Sequence, residues 1–435
     1  MKSAVAAISI LCLCFGAQGQ VVRSPQKDSV RTNEVVQMDS VSILLYKLAT
    51  DKQAISQTIL MANPTMNMAD LLQKQSGVFI RSRGSGVLST PSYKGLGSLQ
   101  TPILIDGANM QSSMNGTMDL SLVDAIHFSH LSINGSRNSY LGMPNTGAAI
   151  SLEGGTRKPM FSVTLGGGTL GSKNGNVQYA NRVKKIKYFV SAAASSSANK
   201  VHLDKYGLKD SLLQNSDAQR VSVYQHIDYQ ISGEMALSNT VYLQNAERGI
   251  PPALGEQNNS RQEDANFMML NKYMGNLGSA WLVNVENQLW KEQIVFNSAK
   301  TGVETVSDVL NVNTHIGLKY FAKHSSAALS VANTRADYTS DALANGAQWN
   351  RWIPKLNMKK KIHKGAIFYE QSAVKYNERW HTNARLEMRY ALTKKYNIEL
   401  SANKVYRLPV LNELFWYQPG SARGRADLKP EDGYR

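Results

Sequence analysis

Cysteine is scarce in this 435-residue chain, and both cysteines, Cys12 and Cys14, fall within the first twenty residues. There Met1-Lys2 supplies a positive start and Ala4 to Phe15 is apolar. Ala17-Gln18-Gly19 offers small residues for cleavage before Gln20, so residues 1–19 have the pattern of an export signal. The apolar run is short of the ~20 residues that a spanning helix needs. Cysteines inside the run leave a lipid-anchored alternative open, although the residues before them form no small-residue lipobox. A chain processed after Gly19 keeps no cysteine, which removes disulfide frameworks and thiolate-held metals. Stability must then come from extensive backbone pairing or a large core.

Long hydrophobic runs are also missing after the signal. A mean hydropathy of −0.31 and 42% hydrophobic residues suit a soluble protein. They suit a membrane β-barrel equally well, because lipid-facing and lumen-facing residues alternate and average out. The net charge is +16, yet Lys and Arg are scattered, and Lys359-Lys360-Lys361 is their one run. Nucleic-acid recognition would cluster them with aromatics on one element, so no nucleic-acid partner is expected. Solvated loops, lumen walls and anionic headgroups or ligands account for the charge better. No nucleophile elbow, phosphate-cradling loop or zinc-binding helix occurs, which argues against an enzyme and against a cofactor. His127-Phe128-Ser129-His130 could suggest a metal pair, but residues three apart on a strand face opposite sides, so a structural role is expected.

What the chain does contain, beyond Phe161, is long alternation. In Arg220–Ile231 the odd positions Val221, Val223, Ile227, Tyr229 and Ile231 are apolar, and Ser222, His226, Asp228 and Gln230 are polar. Tyr224 is the exception among the polar, even positions. Ala384, Leu386, Met388, Tyr390 and Leu392 repeat the pattern against Arg385, Glu387 and Arg389, and Tyr396 to Asn403 repeats it again. Each such segment is a strand with one apolar and one polar face. Strands of ~10 residues with short turns and longer polar loops form the transmembrane-barrel signature. A soluble sandwich also alternates, but the strands here are long. Short links such as Leu392–Tyr396 also contrast with long polar stretches such as Glu247–Asp264.

Between about Thr50 and Gly155 the elements are shorter. Met68–Gln75 is expected to be helical with Asn67 as N-cap. Val78–Arg81, Ile103–Ile105, Phe128–Ile133 and Ala148–Leu152 read as strands, and Leu120–Ile126 has helical spacing with Asp119 as cap. These make a compact α+β domain over residues 50–155. Residues 20–49 form a polar, flexible arm in which Asn33-Glu34-Val35-Val36-Gln37 could add a strand to a partner's sheet.

Two ordered sets of residues resemble a known family. Leu71-Leu72-Gln73-Lys74-Gln75-Ser76-Gly77-Val78-Phe79-Ile80, Lys94-Gly95, Ile103-Leu104-Ile105-Asp106-Gly107, Gly135-Ser136, Tyr140-Leu141-Gly142 and Gly147 to Leu152 are similar to the plug domain of TonB-dependent outer-membrane receptors. Arg407-Leu408-Pro409-Val410-Leu411-Asn412-Glu413-Leu414-Phe415-Trp416, followed by Asp427-Leu428-Lys429-Pro430-Glu431, resembles a hallmark of the barrel in the same family. Its wording looks most like the cobalamin-receptor-type branch of Bacteroidetes, with Gly424-Arg425-Ala426 in place of the usual Gly-Asn-Pro. Pro409 marks where strand pairing should stop.

The resemblance implies an N-terminal α+β plug domain inside an antiparallel transmembrane β-barrel, in the outer membrane of a Gram-negative bacterium. It implies energised uptake of a bulky nutrient, cobalamin or a ferric siderophore. Asn33, Glu34, Val35, Val36 and Gln37 would be the TonB box that engages a TonB-type energy-transducing protein. Outer-membrane lipid is a further partner, and a surface lipoprotein is a candidate one. Plug apical loops at Ser82–Ser92 and Ala108–Thr117 nominate Arg83, Ser85, Ser89, Tyr93, Asn109, Gln111 and Asn115 as ligand contacts. The segment Tyr417–Ala426 has no His, which argues against haem. A non-transporting surface binding protein or adhesin is the alternative, and a non-functional receptor fragment another. A polysaccharide importer would need an N-terminal sandwich larger than residues 20–49. At roughly 20–25 residues per strand and connection, Phe161 to Arg435 gives about 11–14 strands, against the ~22 of plugged transporters. A C-terminally truncated receptor is therefore expected.

Overall fold

Period-two alternation becomes a wall of antiparallel strands. The computed structural model describes residues 52–82, 86, 88–135, 148–155, 157–202, 212–251, 259–298, 302–341, 346–393, 396–418 and 422–434. The signal, the arm with Asn33–Gln37, and the candidate contacts Arg83 and Ser85 lie outside them.

The first part of the described chain is the plug. It runs β1 (Lys52–Ile55), α1 (Gln57–Ala62), α2 (Met68–Gln75), β2 (Phe79–Ser82), β3 (Ser89–Ser92), β4 (Ile103–Ile105), β5 (Ala108–Asn109), β6 (His130–Gly135) and β7 (Ala148–Glu153). Five of these strands form one sheet in the order β1-β6-β7-β4-β5; β4 pairs parallel to β7 and the other neighbours are antiparallel. α2 starts where the sequence says it should, because the Asn67 side chain accepts the Asp70 N–H at 2.8 Å. Its Met68, Leu71 and Leu72 are buried against Ile105, Leu131 and Ile150 of the sheet. The helical spacing of Leu120–Ile126 resolves differently, into two 3-10 turns, Leu120–Leu122 and Ala125–His127. Asp119 caps the first by accepting the Ser121 N–H. Asp124, between the two turns, faces the wall.

The wall is one 14-stranded sheet. Its strands are β8 (Met160–Gly167), β9 (Lys173–Val183), β10 (Ile186–Ser197), β11 (Ala218–Gln230), β12 (Met235–Gly249), β13 (Arg261–Leu277) and β14 (Trp281–Ser298). They continue as β15 (Val303–Phe321), β16 (Ser325–Ser340), β17 (Ala347–Ile362), β18 (Gly365–Tyr376), β19 (Arg379–Ala391) and β20 (Asn397–Arg407). After β20 come α3 (Leu411–Phe415), the hairpin β21 (Tyr417–Gln418) and β22 (Ala422–Arg423), and then β23 (Glu431–Tyr434), which returns to pair with β20. Neighbours in the wall follow chain order, and the sheet is open, with β8 and β23 as its edges. One rim carries short turns such as Lys184-Lys185 between β9 and β10. Most links at the other rim are longer, as between β10 and β11 or β12 and β13. The stretch Glu247–Asp264 is shorter as a loop than its polarity suggests, since β12 extends to Gly249 and β13 begins at Arg261.

The two faces of the wall divide as the alternation requires. Leu165, Ile316, Leu329, Trp352, Leu386 and Leu400 lie on the outer face, with Leu165 at 82% exposure. So continuous an apolar surface belongs in lipid rather than water. Ser222, Gln288, Asn313, Arg385 and Glu387 are buried on the inner face. The plug hydrogen-bonds strands as far apart as β9, β11, β14, β15 and β23, so the wall curves around it. Plug and inner wall share a core in which Phe128 and Leu131 meet Phe189, Tyr224 and Tyr242.

Leu71 is wholly enclosed in the plug. Leu71→Ala should cost about 2–5 kcal/mol. Hydrogen exchange should show faster exchange through α2 and the plug sheet, with β10 to β16 unchanged.

Candidate functional site: the seam between plug and wall

Three aspartates of the plug reach the wall, each placed by a local turn. Asp106-Gly107 closes the β4–β5 hairpin with φ of 49° and 89°, the two positive values that favour Asp-Gly in a two-residue turn. The turn aims the carboxylate outward. Its Oδ2 accepts from the Tyr224 hydroxyl at 2.5 Å and the Thr240 hydroxyl at 3.0 Å. Oδ1 accepts the Gly154 N–H at 3.0 Å, and Lys272 Nζ donates to the Asp106 carbonyl. Tyr224, which breaks the alternation of its strand, is therefore a wall group reaching inward to the plug. Gly154 has no substitute here, since a Cβ would lie 1.9 Å from the Tyr224 hydroxyl.

Asp124 is paired with Arg220 at 2.5 Å and accepts from the Ser222 hydroxyl at 2.5 Å. Asp119 caps its 3-10 turn, accepts the Ser89 N–H at 2.9 Å and pairs with Arg248 at 2.5 Å. Arg248 also grips Asp264 of the wall at 3.0 Å. Beyond the three aspartates, Ser112 donates to Glu292 at 2.6 Å and Gln288 donates to the Asn109 carbonyl at 3.1 Å. Arg157, in the link from plug to wall, donates to the Ile126 and Phe128 carbonyls and to Gln178, with its guanidinium 4.1 Å from the Phe189 ring centre.

His127 is fully buried between Ser191 and Ser222, 2.7 Å from each. Ser222 gives its proton to Asp124, so its oxygen accepts from His127 Nε2, and Nδ1 accepts from Ser191. His130 sits apart on β6. Among the described residues no group of His, Cys, Asp and Glu is arranged to hold a metal ion. Burial pushes the His127 pKa down to about 4; Asp124 opposes this, while Arg220 and Arg157 add to it.

The hallmark after β20 is a fastener. Arg407 forms a fork with Glu413 at 2.9 and 3.0 Å and reaches Glu431 at 2.5 Å. Glu413 Oε2 also accepts the Val410 N–H at 3.0 Å, fixing the start of α3 after Pro409. One arginine thus joins the two halves of the motif. Gln100 of the plug donates to Glu431 at 3.2 Å. The Leu411 and Asn412 N–H groups donate to the Ser113 and Met114 carbonyls at 3.0 and 2.9 Å. Asn412 Oδ1 accepts from the Tyr338 hydroxyl at 3.1 Å.

The apical candidates separate on inspection. Ser89 is buried, and Asn109 is buried with its Oδ1 accepting the Gln111 N–H. Gln111 donates to the Gly116 carbonyl, closing the Ala108–Thr117 loop, and to the Ser98 and Leu99 carbonyls, tying that loop to the turn before β4. Tyr93 is half-buried in a tight turn closed by its own hydrogen bonds with Leu96. Asn115 is exposed, with Thr117 on its Oδ1. A cavity of about 410 Å³ at the long-link rim lies between Asn67, Asp70 and Ser121 of the plug and Ser195, Asn174 and Gln219 of the wall. Its lining of hydroxyls, amides and the charged Asp70, Arg220, Glu247 and Arg248 suits a hydrated, hydrogen-bonding occupant.

Asp106→Asn keeps a residue that tolerates positive φ and removes only the charge that gathers the Tyr224 and Thr240 hydroxyls. It should loosen the plug by about 2–4 kcal/mol, read as faster exchange in β4, β5 and β7. His127 behaves differently with pH. Its folded pKa lies below the unfolded 6.5, so its contribution is intact above pH 6.5 and is lost as pH falls towards 4, on the order of 3 kcal/mol. Protease sensitivity of the plug should rise over that window, and His127→Gln should flatten the rise.

Comparison with known proteins agrees with this geometry. Residues 45–149 match the family model described as TonB-dependent Receptor Plug Domain. A vitamin B12 transporter, BtuB, of Photobacterium profundum is 21% identical over 456 residues, covering 99% of this chain and 70% of the relative. Among solved structures, a variant of the Pseudomonas aeruginosa ferric enterobactin receptor in complex with enterobactin aligns with a TM-score of 0.70 at 12% identity. That alignment covers 89% of this chain and 69% of the receptor. The siderophore receptor PirA from Acinetobacter baumannii gives 0.68 at 11% identity, covering 89% and 68%. The copper transporter OprC gives 0.68 at 10%, covering 88% and 69%. Residues 45–149 therefore carry the TonB-dependent receptor plug domain, and the wall that encloses it has the fold of these receptors.

Proposed function

We propose that this receptor imports a bulky nutrient across the outer membrane of a Gram-negative bacterium, after export by a signal cleaved behind Gly19. The observation that carries the reading is the character of the seam. Around the apolar core that plug and wall share, the plug is fixed by carboxylates, hydroxyls and amides, groups that water can replace one by one. A permanent closure would be served better by apolar packing.

On this reading Asn33–Gln37 pairs with a TonB-type protein, which supplies the work, and the chain hydrolyses nothing. The cargo is cobalamin or a ferric siderophore. The name of the sequence relative supports the first, and the names of two structural neighbours support the second. Exposed Asn115, the Tyr93 turn and the hydroxyl-lined cavity at the long-link rim are the surfaces offered to it.

Deleting Asn33–Gln37 in the gene should abolish cellular uptake of labelled cobalamin or ferric siderophore while surface binding stays within about twofold. Uptake that continues at the parental rate would refute energised import. Binding without uptake in the parental strain would favour the adhesin alternative.

A further inference from the structure

Four arginines are buried among the described residues: Arg157, Arg248, Arg351 and Arg385. Three have acceptors. Arg157 donates to backbone carbonyls, Arg248 pairs with Asp119 and Asp264, and Arg385 pairs with Glu387. Arg351, 9% exposed on the inner face of β17, has none among the described residues. Its guanidinium instead lies 3.8 Å from the Trp349 ring centre and 5.8 Å from that of Tyr376. Stacking holds the plane of the group and leaves the five N–H donors along its edge unspent. A buried cation with no counter-charge is costly, and structural arginines are seldom left that way.

The donors open onto a cavity of about 90 Å³ between the plug loop at Asn109–Gly116 and the wall. Thr334, the cross-strand partner of Arg351, and Tyr406 line the same cavity. Both are buried, and neither hydroxyl has a hydrogen-bond partner among the described residues. Arg407, also in the lining, is committed to Glu413 and Glu431, so no carboxylate of the hallmark is left for Arg351. The cavity therefore presents a fixed planar cation and two spare hydroxyls in a space that admits one functional group rather than a whole nutrient.

We infer that Arg351, with Thr334 and Tyr406, forms an oxyanion subsite in the seam, which takes a single carboxylate or phosphate group. A planar guanidinium meets a two-oxygen edge bidentately, and the hydroxyls supply further donors. The assignment deepens the import reading only in naming a group on the cargo. Anion binding itself does not depend on energised transport, so the two fail separately.

The test uses the purified full chain in detergent at about pH 7, titrated with inorganic phosphate, with citrate and with ferric citrate. Binding is followed by calorimetry and by tryptophan fluorescence, because Trp349 reports on the guanidinium. Saturable binding of at least one of these anions is expected. Arg351→Gln should weaken it at least tenfold, Arg351→Lys by less, and Thr334→Val by a few-fold, all with unchanged thermal melts. Tighter binding of ferric citrate than of free citrate would place the oxyanion on a metal-bearing cargo, and equal affinities would make it a free ion; both support the subsite. If Arg351→Gln alters the melt, Thr334→Val, which keeps the charge, decides the matter. No saturable binding, or equal affinity in parent and variants, would overturn the proposal.

Discussion

Everything in this fold depends on how a plug with a polar rim is held against a polar wall. Asp106, Asp119 and Asp124 come from the plug, and Tyr224, Arg220 and Arg248 from the wall. Ion pairs of this kind add little net stability, because each charge gives up its water to meet the other. Removing one partner costs far more than the pair contributes, since the survivor is stranded. The seam therefore fixes where the plug sits without fixing it irreversibly. That combination suits a stopper that must be specific in place yet able to yield.

The hallmark segments are the parts of the chain that make this attachment. Asp106-Gly107 is a two-residue hairpin whose backbone needs positive φ and whose side chain faces outward to the wall. The Arg407–Glu431 segment is a clamp across two turns of chain, and its α3 N–H groups hold the plug loop at Ser113 and Met114. In each case a local conformation and a long-range contact use the same residues. Glu413, for example, caps α3 and anchors Arg407 with one carboxylate. Local demand for the turn and remote demand for the contact restrict such residues together.

Much of this was legible before any coordinates. Alternation named the strands and their outer faces, because side-chain direction in a strand depends only on parity. Asn67 and Asp119 named their caps, because capping is a contact within three residues. Contacts between distant residues were not legible. Nothing local says that Asp124 meets Arg220 or that His127 lies between Ser191 and Ser222. Tyr224 did carry a signal, as an aromatic on the polar parity, and such a break is worth reading as an inward contact. The apical loops carry a coarser signal. Gly, Ser and Asn content marks a turn, but it does not tell Asn115, which is exposed, from Gln111, whose amide binds the Gly116 carbonyl of its own loop and the Ser98 and Leu99 carbonyls before β4.

The order in which attachments would yield follows from the topology. β1 is an edge strand of the plug sheet, paired only with β6 through four residues. Any load entering the described chain from its N-terminal side reaches Lys52 first. A load directed across the pair would open Lys52–Asn134, then Gln53–Ile133, one rung at a time. Each step costs one rung rather than a whole strand, so peeling needs far less force than shearing the same bonds together. The aspartates lie later in the chain, on β4–β5 and the 3-10 turns, and Arg220, Arg248 and Tyr224 would hold them while β1 departs. Under such a load β1 would part from β6 before the seam gives way.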